Sequence, residues 1–227
     1  MQDGFVALVA CSDLSAAAWI TASDRPWTQL ASFGPAGFPA HARLRFLPDP
    51  AYVGQAGNDV DFDGPDETTQ MRGALETLTR HTRTSDDCYF CLWDGWGNII
   101  AGGDGARILD HRTGTMSRGP LITPAFPPSV LHGPKVVIPS RAYFLFRGSI
   151  SDFGDWGAAD AWSGQPRQHM PGPAFVWPAD HAWCIANDVD PHWAGIGADV
   201  SAIDELLADP RLDVVPADPR QDQPYYR

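Results

Sequence analysis

The sequence predicts an α+β fold: a mostly antiparallel sheet, two or three helices and long Gly/Pro-rich loops. Residues 1–220 are expected to form one domain and 221–227 a loose tail. Three observations carry this. Short apolar runs recur between turn residues, as strands do. One stretch, 66–83, repeats its apolar residues at helical spacing. The 22 glycines and 21 prolines cut the rest of the 227 residues into short pieces.

Each element follows in order. Phe5 to Cys11 reads as a strand, and Ser12-Asp13 offers a polar cap to the Ala-rich helix that runs through Trp19-Ile20. Pro26 and Gly34-Pro35 limit Trp27 to Phe33 to about two helical turns. Ala42 to Leu47 reads as a strand closed by Pro48-Asp-Pro50, and Gly54 to Glu67 as an acidic loop. From Asp66 to Arg83, Met71, Ala74, Leu75 and Leu78 form one apolar stripe while Arg72, Glu76 and Arg80 occupy another face. Cys88 to Trp93 is a buried-strand pattern, Asp94-Gly95 a turn, and Trp96 to Ala101 the expected return of a hairpin. Residues 102–134 and 149–173 read as irregular excursions, separated by strand-like Val136 to Ile138 and Tyr143 to Arg147. Ala174 to Trp177, Ala182 to Val189 and Leu212 to Val215 complete the strands, and Ser201 with Asp204 opens a short helix.

Composition excludes several classes. With 28 acidic against 16 basic side chains and a net charge of -12, the chain lacks the basic surface that nucleic-acid binding requires, and Lys135 is its one lysine. The apolar runs are far shorter than the roughly 20 residues that cross a bilayer. Asp3 stands where a signal peptide needs basic residues, so a cytoplasmic location is expected. Four cysteines are too few for a disulfide scaffold, which makes Cys11, Cys88, Cys91 and Cys184 thiols. A hydrophobic share of 44% is enough for a sizeable core.

Several blocks stand out: Leu78-x-x-His81-Thr82-x-Thr84-x-Asp86-x-Cys88-Tyr-Phe-x-Leu-Trp93-x-Gly-Trp-Gly97, Pro139-x-Arg141-x-Tyr143, Trp177-Pro-x-Asp180-x-x-Trp183-Cys184, and Leu206-x-x-Asp209-Pro-x-Leu212. Together they are similar to a family of uncharacterised actinobacterial proteins, a resemblance that spans about the last two thirds of the chain and implies no activity or site residue. The acidic composition also resembles that of immunity or adaptor proteins that present a negative face to a basic partner.

The best metal-like motif is Asp59-Val-Asp61-Phe-Asp63-Gly64, whose alternating carboxylates and glycine resemble the start of a calcium loop. Gln70 stands where such a loop places its bidentate Glu. Cys88 and Cys91 lie three apart on a strand, so they point to opposite faces and cannot share a zinc ion. Cys11 or Ser12 at a strand-to-helix turn could supply a nucleophile, but a capping role accounts for the segment better. Asp180-His181 and Asp190-Pro-His192 put acids beside imidazoles near Trp183 and Trp193, a pattern that surface turns also produce.

Of nine tryptophans, Trp93, Trp177 and Trp183 fall in strand-like runs and are expected in the core. Trp96, Trp156 and Trp162 sit among glycines and acids, so they are expected as exposed anchors, with Asp94 and Asp155 beside them. The functional expectation is a noncatalytic protein-binding module, immunity- or adaptor-like, that engages a basic protein partner without a cofactor. The alternative is an enzyme or small-molecule binder with a Trp-lined cleft, assisted by calcium at Asp59, Asp61 and Asp63.

Overall fold

The computed structural model describes residues 8–100, 107–110, 115–118, 124–157 and 170–227. Along the chain come β1 (Val9–Ala10), α1 (Ala18–Thr21), α2 (Trp27–Phe33), β2 (Ala40–Arg45), α3 (Glu67–Leu78), β3 (Cys88–Trp93), α4 (Gly97–Ile100), β4 (Arg107–Asp110) and β5 (Thr115–Arg118). They are followed by α5 (Pro128–Leu131), β6 (Val136–Ile138), β7 (Arg141–Gly148), β8 (Phe175–Pro178), β9 (Trp183–Ala186), β10 (Trp193–Ala198), α6 (Val200–Ala208) and β11 (Val214–Pro216). The fold is α+β. Among the described residues nine strands form one sheet, ordered β1-β7-β3-β8-β9-β10-β2-β11, with β6 also paired to β7. Every recorded pairing in it is antiparallel. β1 and β6 share the outer edge of β7, end to end, while β4 and β5 form a separate hairpin.

Alternation along the strands gives the sheet two buried faces. Cys88, Phe90 and Leu92 of β3, Phe144 and Phe146 of β7, Ile185 of β9 and Ile196 of β10 point to one face. There α3 contributes Met71, Ala74, Leu75 and Leu78, and α6 contributes Ala202, Ile203 and Leu206. Cys91, Tyr143, Leu145, Phe175, Trp177 and Cys184 point to the other face, under Ile20 of α1 and Leu30 and Ala31 of α2. Because helices cover both sides, central strands such as β8 and β9 are apolar at every position and show no alternation. The two thiols of β3 lie on opposite faces, as their spacing requires.

β10 was not legible. The helical layer needs its Gly195 and Gly197. A Cβ on Gly195 would fall 2.0 Å from the Ser32 carbonyl oxygen at the end of α2, and one on Gly197 would fall 2.5 Å from the Phe38 ring.

Other expectations are corrected. Trp96 to Ala101 does not return as a hairpin strand; the chain enters α4, and both edges of β3 are taken by β7 and β8. Asp199, not Ser201, occupies the N-cap of α6. Residues 221–227, expected to trail loosely, are docked. The Pro224 carbonyl accepts the Trp193 indole N–H at 3.2 Å, and Tyr226 Oη donates to the Pro48 carbonyl at 2.6 Å.

Candidate functional site: an acidic cleft beside Trp96

The start of α3 builds one wall. Asp66 sits in extended backbone and its carboxylate accepts the Thr69 N–H at 2.7 Å, which caps the helix and places Asp66, Glu67 and Thr68 in a row at its N-terminus. The opposite wall is the pair of chain segments that lead into β8 and out of β9. The Asn187 N–H bonds to the Ala174 carbonyl, and the Ala174 N–H to the Cys91 carbonyl, each at 2.7 Å. That extension of the ladder aims Asn187 at α3, where its Nδ2 donates to Glu67 Oε1 at 2.7 Å. Met170, Pro171 and Pro191 line the space between, and Trp96 flanks it. The result is a cleft of about 410 Å³, within the range of small-ligand sites.

Trp96 is held from behind. The turn after β3 is anchored by the Asp94 N–H to the Ala142 carbonyl at 3.0 Å, and the Trp96 ring meets Trp93 edge-on with centroids 5.6 Å apart. Arg141 spans the back of this pair. It bonds Asp188 at 3.0 and 3.2 Å and Asp190 at 3.2 Å, with its guanidinium 5.3 Å from the Trp93 ring centre and 5.8 Å from that of Trp27. The bond to Asp188, with further carboxylates nearby, raises the Arg141 pKa and so fixes its charge.

Around the cleft, among the described residues, stand Glu67, Asp188 and Asp190, the last two bonded to Arg141, beside an indole. Among the described residues the only hydrogen bond to Glu67 is that of Asn187, which leaves its Oε2 open. Among the described residues the lining contains no His, Cys or Lys. Chemically, such an arrangement suits a cation: carboxylate oxygens supply charge, and an indole supplies quadrupole attraction.

The structure sorts the residues singled out from the sequence. Trp96 lines the cleft. Asp94 lies behind it and is already paired, with Lys135 Nζ at 2.8 Å. Trp156 is a correction: it is only 3% exposed and packs edge-on against Phe146 at 4.9 Å, because the core of the α3 side has room for its ring. Asp155 is half-buried and its backbone carbonyl accepts the Leu8 N–H, which places it at the edge of β1 and away from the cleft. Trp162 lies outside the described residues.

Asp59, Asp61 and Asp63 do not form an ion site. Asp59 ends a 3-10 turn, the chain then runs extended through Val60, and Gly64 does not take the left-handed conformation of a sharp calcium-loop bend. Among the described residues no three His, Cys, Asp or Glu side chains come together to hold a metal. The three carboxylates are instead exposed on the strand of chain that leads to Asp66.

The other candidates resolve into structural roles. Asp13, not Ser12, organises the turn after β1, accepting the Ser15 N–H at 2.9 Å and hydroxyl at 3.1 Å. Burial raises the Cys11 thiol pKa, the reverse of what a nucleophile needs. Asp180 accepts Thr82 Oγ1, the Arg83 N–H and the Ala182 N–H, while His181 stacks on Trp19 with centroids 4.1 Å apart. His192 turns from Asp190 to Asp49, with Nε2 donating to Oδ1 at 3.2 Å.

That last contact belongs to a second charged cluster, over β2. Asp49 takes a bidentate grip from Arg43 at 2.7 and 2.9 Å and a third bond from Arg45 at 3.1 Å; Arg45 also binds Asp213 at 2.7 Å. Although burial alone would raise it, these cations hold the Asp49 carboxyl far below the usual carboxylate range.

Asn187, Asp188 and Met170 escaped sequence reasoning, and Glu67 and Arg141 were noted there only as part of the acidic loop and of the Pro139-x-Arg141-x-Tyr143 block. The polar Asn187-Asp188 break after an apolar strand was the one visible signal, and pairing with α3 depends on a contact 120 residues apart. A comparison with family models, curated proteins and solved structures finds no match for this chain. Among the described residues no helix is long and apolar enough to cross a membrane.

Proposed function

We propose that this protein is a noncatalytic binding module that engages a basic protein partner, taking one of its cationic side chains into the cleft between Trp96 and Glu67. The observation that supports this reading is Glu67, whose Oε2 has no hydrogen bond among the described residues, lining a space that Trp96 also lines. Asp59, Asp61 and Asp63 extend the negative surface along the approach to α3 and would steer a basic chain toward it. No immunity or adaptor role is needed for the chemistry, but either would use such a surface.

The test is a calorimetric titration with a short peptide of alternating arginine and glycine. Saturable binding that weakens with salt and is lost with an otherwise identical glutamate peptide is expected. Equal uptake of both peptides, or of neither, would remove the proposal.

A further inference from the structure

Residues 224–227 pin a distant loop in place beside a single histidine. The Pro224 carbonyl accepts the Trp193 indole N–H, Tyr226 Oη reaches the Pro48 carbonyl, and the Arg227 N–H donates to the Gln55 carbonyl at 2.9 Å. At the centre of these contacts the Tyr226 ring meets the His192 ring edge-on, with centroids 4.6 Å apart. Segment 48–57 is thereby stapled to the start of β10. From there the chain runs straight into Asp59, Asp61, Asp63 and the capping Asp66.

The His192 side chain is 5% exposed. Its Nε2–H is used by Asp49, and its Nδ1 is buried without a hydrogen-bond partner among the described residues. A neutral ring tolerates that, because Nδ1 then carries only a lone pair. A second proton would turn Nδ1 into a charged donor with nothing to receive it. The charged groups that face this imidazole are Asp49 from the loop, which attracts the added charge, and Arg43 and Arg45 from β2, which repel it. Asp49 already serves both arginines. Water can reach Nδ1 only if what covers the ring moves, and Tyr226 is the ring packed on it.

We infer that residues 224–227 are a latch over His192 that opens when the imidazole takes up its second proton, freeing residues 50–57 while Arg43 and Arg45 keep Asp49 in place. Burial lowers the His192 pKa in the closed form, in the same sense. The sign follows: closure is at full strength above about pH 6.5, the ordinary imidazole value, and is lost as pH falls below it toward the depressed value of the closed form. The consequence for ligand binding rests on the cleft reading, since a freed loop would no longer hold the acidic approach to α3.

Hydrogen exchange of the full chain at about pH 7.5 and about pH 5, corrected for intrinsic rates, tests this; each unit of pKa depression predicts about a tenfold loss of protection. The wild type is expected to lose protection of the Arg227 amide at the lower pH, and His192→Gln, which cannot gain charge, is expected to keep it. A titration of the Trp193 indole N–H resonance in the wild type should report the same opening, with a midpoint below the ordinary imidazole value. Unchanged protection in the wild type, an indole resonance that does not move, or an equal loss in a folded His192→Gln protein would overturn the latch.

The arginine peptide separates the two proposals. Affinity that falls at low pH in the wild type but not in His192→Gln supports the coupling, and an open latch with unchanged affinity overturns it while leaving the cleft intact. Absence of peptide binding at both pH values defeats the cleft, with the exchange data still deciding the latch.

Discussion

Two groups of carboxylates in this molecule have opposite electrostatic surroundings. Asp49 is enclosed by Arg43, Arg45 and His192, and every cation there serves the fold. Glu67, at the start of α3, is hydrogen-bonded among the described residues only by a carboxamide, and it lines the same space as Trp96. The first cluster is closed to any ligand because its charge is already answered. At the second, Glu67 Oε2 has no hydrogen bond among the described residues, and it is this oxygen that we propose meets a partner. In a chain of net charge -12 the number of acids says little about where a partner binds; the local balance of charge says more.

Replacing Asp49 with Ala sharpens that contrast most. It would strand Arg43, which is 6% exposed, as an unpaired buried cation, and should lower unfolding stability by about 3 kcal/mol in chemical denaturation. Trp96→Ala should leave the protein folded and weaken the arginine peptide about tenfold, the size of a partly desolvated cation–indole contact. A Trp96→Ala protein of unchanged affinity would break the assignment of the cleft.

The contrast explains what could be read in advance. β3 and the apolar stripe of α3 were legible because local patterning alone fixes them: six mostly apolar residues in one run, and four on one helix face. The Asp59, Asp61 and Asp63 motif misled because carboxylate spacing does not reveal whether the backbone curls around a common point. Trp156 misled because flanking glycine and acid residues mark a loop, while burial depends on whether Phe146 and its neighbours leave room for the ring. The cleft itself joins residues from α3, the end of β3 and the segments around β8 and β9, so only the assembled sheet reveals it. β10 was hidden by the glycines that let α2 approach.

Smaller effects refine the comparison. Glu67→Gln keeps the bond from Asn187 but removes the charge; stability should stay within about 0.5 kcal/mol, with peptide affinity falling a few-fold and its salt dependence flattening. Asp94→Asn removes an ion pair to Lys135 at the back of the cleft. It should cost less than about 1 kcal/mol and leave peptide affinity unchanged. A large affinity loss there would move the charged contact from Glu67 to Asp94.

Side-chain resonances give the sharpest test, because each charged group has its own reporter: Trp96 and the Asn187 carboxamide at the cleft, and the Trp193 indole against Arg43, the partner of Asp49. As arginine peptide is added at neutral pH, the Trp96 and Asn187 signals should shift together and saturate while Trp193 stays still. Bound peptide that moves Trp193, or that leaves Trp96 and Asn187 untouched, would contradict the assignment of the unanswered charge to the start of α3.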